Sequence, residues 1–102
     1  MKNQTELTKE TIAAIIKENK PFLQERFKVK ELGLFGSFLH GNQNPTSDVD
    51  ILVEFEESPG LIDYLRLEKE LTHLLGKQVD LVVKESLKQR LKARVLKEAV
   101  YF

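Results

Sequence analysis

Apolar residues follow two rhythms along this chain. Ile12, Ile15 and Ile16 recur at helical spacing, and Phe22, Leu23 and Phe27 continue that side beyond Pro21, which is expected to end or kink the helix. Glu31-Leu-Gly-Leu-Phe-Gly-Ser then runs from an apolar segment into glycine and serine, the pattern of a strand turning sharply into a short helix. Residues 48–55 alternate acidic and apolar side chains with the period of two of a strand, which puts Asp48 and Asp50 on one face and Val49, Ile51 and Val53 on the other, toward a core. Ser58-Pro59-Gly60 reads as a turn and helix start. Leu67, Leu71, Leu74 and Leu75 then mark one buried helical face, and Gly76 suits the stop. A second β-type run surrounds Asp80, and Leu87, Leu91 and Val95 repeat the helical pattern in a last helix. The order is helix, strand, helical turn, strand, helix, strand, helix. It predicts an α/β fold in which a small mixed β-sheet is flanked by helices. No internal repeat, low-complexity tract or linker interrupts it, so residues 1–102 are expected to form a single domain.

Composition narrows the function classes. Sixteen Lys and Arg balance sixteen Asp and Glu, so general attraction to nucleic acid or a membrane surface is not expected, and no specific nucleic-acid partner is predicted. The charges are unevenly spread. Residues 48–57 hold five acids and no base, while residues 84–98 hold six bases and two acids, a local balance of +4 that fits either a solvated helix face or contact with an acidic partner or a triphosphate. Without cysteine the chain has no disulfide or cysteine-bearing zinc site, which suits a reducing cytoplasm, the expected location. The longest apolar run, residues 12–16, is far below the roughly twenty residues of a membrane span, and the amino terminus shows no secretion-signal core. At 102 residues little chain is left to hold a second substrate, so any acceptor is expected on another subunit or on a protein partner; an oligomer is compatible with this.

The candidate chemistry lies between Gly36 and Asp80. A strand-to-helix turn at Gly36-Ser37 aims unpaired amides outward, an arrangement suited to phosphate oxygens; Gly36 allows close backbone approach and the Ser37 hydroxyl adds a donor. Ten residues separate Ser37 from the following Asp48-Val-Asp50. Two carboxylates about 6.5–7 Å apart along a strand can share one divalent cation or hold two ions roughly 3.5–4 Å apart. The other reading of the same residues is an exposed acidic strand face, under electrostatic strain unless solvent relieves it. Asp80, a single charge in an apolar run, reads either as a strand-end residue capping backbone amides or as a base beside a metal, placed to take a proton from an attacking hydroxyl. His40 and His73 are too far apart in sequence to suggest a histidine metal site, and Tyr64 reads as packing. Tyr101 and Phe102 read as core or partner contacts.

Taken jointly, Leu34-Phe-Gly-Ser, Gly41, Pro45-Thr-Ser-Asp-Val-Asp-Ile-Leu-Val-Glu-Phe, Leu74-Leu-Gly-Lys-Gln-Val-Asp-Leu-Val and Arg94-Val-Leu-Lys-Glu-Ala-Val-Tyr resemble the minimal nucleotidyltransferase (MNT) family of the DNA polymerase β-like superfamily, over residues 28–102. The resemblance implies a polymerase β-like palm fold and an ATP-dependent nucleotidyltransferase. It implies Mg²⁺, with a two-ion site, on Asp48, Asp50 and Asp80, which are also the catalytic acids, and a triphosphate held by Gly36 and Ser37 with Ser47 also on the nucleotide. Small members are antitoxins paired with HEPN-domain toxins, and some adenylylate a tyrosine of that partner. The implied function is therefore transfer of AMP from ATP to a partner hydroxyl; the alternative is a catalytically weak antitoxin that neutralises its partner by binding. The chain departs from the family at one place. Many relatives have a small residue and an arginine just before the second motif glycine, where this chain has Leu39 and His40, and an imidazole cannot reproduce the planar fork of a guanidinium on phosphate.

Overall fold

The computed structural model describes residues 7–102. Helix α1 (Lys9–Phe27) opens on a reciprocal cap: the Thr8 hydroxyl accepts from the Thr11 amide at 3.2 Å, and the Thr11 hydroxyl accepts from the Thr8 amide at 2.8 Å. The helix continues through Pro21 instead of ending there. An interior proline removes one backbone bond at a cost of about 3 kcal/mol, and the burial of Leu23 and Phe27 beyond it offsets that loss. Lys28, in the left-handed conformation at φ 58°, ends the helix.

From there the chain enters β1 (Val29–Phe35), passes through the one-turn helix α2 (Ser37–His40) and returns as β2 (Val49–Phe55). Helix α3 (Leu61–Leu75) leads to β3 (Val79–Val83), and a 3-10 turn (Lys84–Ser86) leads to α4 (Gln89–Glu98) and β4 (Val100–Tyr101). The strands lie in the order β3-β2-β1-β4, with β1 antiparallel to both β2 and β4, and β2 parallel to β3. This is the expected mixed sheet with one strand more than the sequence pattern indicated. Leu87 precedes α4 instead of belonging to it, and Leu91 stays half exposed.

One face of the sheet, with Leu32, Leu34, Val49, Ile51, Val53, Val79 and Leu81, packs on Ile12, Ile16, Leu23 and Phe27 of α1 and on Leu67, Leu71 and Leu75 of α3. The alternate residues of β2 and β3 face away from that core. Gly76, at φ 69°, stops α3 as its amide donates to the Thr72 carbonyl at 2.9 Å. Three α3 residues four apart reach the outer rim of β3. The Tyr64 hydroxyl donates to the Leu81 carbonyl, Glu68 accepts from the Leu81 amide at 3.4 Å, and the Thr72 hydroxyl accepts from the Val79 amide at 3.1 Å. Among the described residues no helix is long and apolar enough to cross a membrane.

Candidate active site

The two acid-bearing strands are neighbours in register: Asp50 pairs with Asp80, and the flanking pairs Val49 with Val79 and Ile51 with Leu81 turn into the core. Since paired residues on adjacent strands point to the same face, Asp50 and Asp80 stand side by side on the face away from α1 and α3. Asp48, two residues before Asp50 and at the mouth of β2, is exposed, as is Asp80; Asp50 is half-buried. Burial, followed by the charges of Asp80 and Asp48, pushes the Asp50 carboxyl up from 3.8 to about 6.

On the other side of Asp50, β1 ends opposite it at Phe35, and the chain turns at Gly36 into α2. Gly36 adopts φ 80° and ψ −155°, a region essentially restricted to glycine. A Cβ there would lie 2.0 Å from Asp50 Oδ2. The glycine is thus required twice, by the backbone angle and by the carboxylate against its Cα. The turn, Asp50 and Asp80 consequently form one row across three strands. No side chain caps α2 at its start.

The remaining predicted residues are distributed around this row. Ser47 lies just before Asp48, but its hydroxyl accepts from the Asn44 amide at 2.9 Å, and Asn44 Oδ1 in turn accepts from the Thr46 amide at 2.9 Å and the Thr46 hydroxyl at 2.7 Å. Lys77 Nζ donates to the Pro45 carbonyl at 2.8 Å and fastens this loop to the start of β3. His40, at the end of α2, sits 3.3 Å from Glu98 at the end of α4, and Glu98 also meets Arg94 at 3.6 Å. Glu98 is a contact that the sequence reading did not single out, since 57 residues separate it from His40 and no local pattern links them. His73 is exposed on α3. The Tyr64 phenol is pushed up by burial and by Glu68 and Asp80, which keeps it protonated and fits its packing role.

Tyr101 extends the acid face toward the other edge. Paired with Gly33, it lays its ring where a Gly33 Cβ would come within 3.1 Å, and Leu52, the next residue of that row, is buried. Phe102 packs against the core and its amide donates to the Leu32 carbonyl at 2.9 Å.

Among the described residues no three His, Cys, Asp or Glu side chains already form a closed metal cage. Mg²⁺ does not demand one: it keeps several waters and binds through one or two carboxylates together with substrate phosphates. The hard oxygen donors of Asp50 and Asp80, with burial and then the neighbouring acid charges raising Asp50, fit such a cation.

A paired-acid row beside a glycine-serine turn on a small mixed sheet is an arrangement suited to phosphoryl handling, and comparison with known proteins gives the class, nucleotidyltransferase. The nucleotidyltransferase domain family matches residues 16–102, and the chain belongs to that family. It is 50% identical over 95 residues to the protein adenylyltransferase MntA of Thermococcus cleftensis, covering 93% of this chain and 96% of that protein. A solved minimal nucleotidyltransferase superposes with a TM-score of 0.78 at 37% identity, over 95% of this chain and 98% of the other. A toxin-antitoxin structure with AMP-PNP superposes at 0.67 with 28% identity, over 93% of this chain and 72% of the matched chain. The MNT antitoxin in complex with a tri-AMPylated HEPN toxin of Shewanella oneidensis is also similar, with 25% identity and a TM-score of 0.57, over 90% of this chain and 66% of that chain.

Proposed function

We propose that this chain is a single-domain protein adenylyltransferase that moves AMP from ATP to a hydroxyl, in the first place a tyrosine, of a HEPN-type partner toxin and so acts as its antitoxin in the cytoplasm. The observation that carries the reading is the in-register pair Asp50 and Asp80 with Gly36 against the Asp50 carboxylate. The 50% identity to an MntA adenylyltransferase over nearly the whole chain supports it, as does the likeness to antitoxins with AMP-PNP or with a modified toxin.

In this reading the Gly36-Ser37 turn orients the triphosphate, and Ser47 lies on the loop that borders it. Asp48 and Asp50 would hold Mg²⁺, with Asp80 completing the acidic set; when bound, the ion neutralises charge on the phosphates as the α-phosphorus is attacked. Asp80 accepts the proton of the acceptor hydroxyl, whose oxygen forms the new bond to the α-phosphorus while the bond to the pyrophosphate oxygen breaks. Asp50 itself is half-buried, and fixed charges act more strongly there than on the exposed Asp48 and Asp80.

The test combines the chain, its co-purified partner, ATP and Mg²⁺, with both proteins weighed by intact mass spectrometry. A gain of one or more AMP units on the partner, abolished by Asp50→Asn with the fold retained, is expected. Tight complex formation without any mass gain would establish the binding-only antitoxin instead.

A further inference from the structure

The helix layer, on the opposite side of the sheet from the acids, carries a groove of its own. Phe22, Arg26 and Phe27 of α1 and Arg66, Lys69 and His73 of α3 line a cleft of about 450 Å³, with Glu70 as its single acid. Arg66, Lys69 and His73 are spaced i, i+3 and i+7, which strings them along one side of α3 for about 10 Å. Among the described residues neither arginine nor Lys69 makes an ion pair. Phe22 is 49% exposed and meets Phe27 at 88° with ring centroids 6.3 Å apart, a contact that leaves much of its ring uncovered. The Arg26 guanidinium stands 6.0 Å from the centre of the Phe27 ring.

We propose that this groove binds single-stranded nucleic acid with little sequence preference, its phosphates on Arg26, Arg66 and Lys69 and a base stacked on Phe22. Cations on both walls of a groove, beside an exposed ring, are the elements by which single strands are held: charge follows the backbone, and any base offers a flat face to an aromatic side chain. An acidic peptide would use the same charges but sets a flat group on the ring only where its sequence supplies one, whereas every nucleotide carries a base. Zero net charge is compatible with this because the excess is local: Arg26, Arg66 and Lys69 face a single acid, Glu70, within the groove, although the two helices as wholes carry as many acids as bases, and the carboxylates of Asp48, Asp50 and Asp80 lie on the far side of the sheet. Two of the three cations are arginines, whose planar fork matches phosphate oxygens. The site is independent of the adenylyl-transfer reading, and either can fail without the other.

The experiment is fluorescence anisotropy with end-labelled mixed-pyrimidine RNA and DNA strands of roughly 12 nucleotides, long enough to cross the groove, at low salt, using the full chain. Saturable binding is expected, weakened at least tenfold in the Arg66→Ala/Lys69→Ala double variant. The dependence on salt should become shallower by about 0.7 per phosphate contact removed. Phe22→Ala should weaken binding several-fold at unchanged salt slope, Phe22→Tyr should restore it, and Asp50→Asn should bind as the parent does. Circular dichroism of each variant establishes that it is folded. Absence of binding, indifference to the Phe22 variants, or competition by a glutamate polymer with the same dependence on all these residues would overturn the proposal, the last result assigning the groove to an acidic protein segment.

Discussion

Gly36→Ala separates the two demands placed on the turn beside Asp50. Gly36 and Gly41 both have positive φ, 80° and 75°, but a Cβ on Gly41 meets nothing within 4 Å, whereas one on Gly36 lies 2.0 Å from Asp50 Oδ2 and 2.8 Å from its Cγ. At Gly41 the substitution adds only the left-handed backbone penalty, about 1–2 kcal/mol. At Gly36 the backbone region costs about 1–3 kcal/mol, and driving the Asp50 side chain off its rotamer adds about 0.5–1.5 kcal/mol. In a domain of this size each kcal/mol lowers Tm by about 4–8 °C, so the melting curves of the two variants differ only moderately. Activity is the sharper readout. A carboxylate has to move by an ångström or more to clear the new methyl group, and a misplacement of that size costs about 10²-fold in rate. Label transfer from α-labelled ATP to the partner, measured at a temperature where both variants are fully folded, should therefore fall about a hundredfold in Gly36→Ala and remain near the parent in Gly41→Ala. Equal activities in the two variants would refute the reasoning, because Asp50 would then be free to move without consequence.

Three further outcomes test other parts of the structure. The folded chain holds a proton on Asp50 up to about pH 6, against 3.8 ordinarily, so this group's contribution to stability is fully present below pH 3.8 and is lost as pH rises through 6; in chelator, Asp50→Asn should melt above the parent at pH 8 and level with it at pH 3.5, and Mg²⁺ should raise the Tm of the parent but not of the variant at pH 8. Glu98→Ala removes the contact to His40 and an exposed ion pair to Arg94, so it should change stability by less than about 1 kcal/mol while raising the KM for ATP several-fold by freeing α2, as measured by thermal melts and steady-state transfer. Thr72→Val strips the Val79 amide of its acceptor and should cost about 1–3 kcal/mol in urea unfolding, with transfer unchanged at low temperature.

The parts of the fold that were legible in the sequence are those set by local rhythm. The alternation through residues 48–55 placed Asp50 outward and Val49, Ile51 and Val53 inward, and the leucine spacing of α3 with its glycine stop matched the helix found. That Asp50 should stand beside Asp80 was a requirement of the chemistry, not a consequence of either segment alone, because the register of a parallel pair depends on how α3 packs during the crossover. Strand β4 was not foreseen because two residues are too few to show alternation, and what stabilises it is pairing with Leu34 and Gly33 far away in sequence. Pro21 left a stop or a kink open, and tertiary burial of Leu23 and Phe27 rules out the stop by carrying the helix on. The Glu98 contact and the groove between α1 and α3 join residues whose proximity exists only in the folded chain.

The row of Tyr64, Glu68 and Thr72 along β3 has a bearing on how this molecule meets others. With these side chains engaging backbone groups of Val79 and Leu81, that border offers a visiting strand few bonds to make, and lengthening of the sheet into a fibre or a strand-exchanged pair is discouraged at this margin. The opposite margin ends in a strand only two residues long. Recognition of another chain is left to side-chain surfaces, where charge and shape can discriminate, instead of to the backbone, which any polypeptide shares.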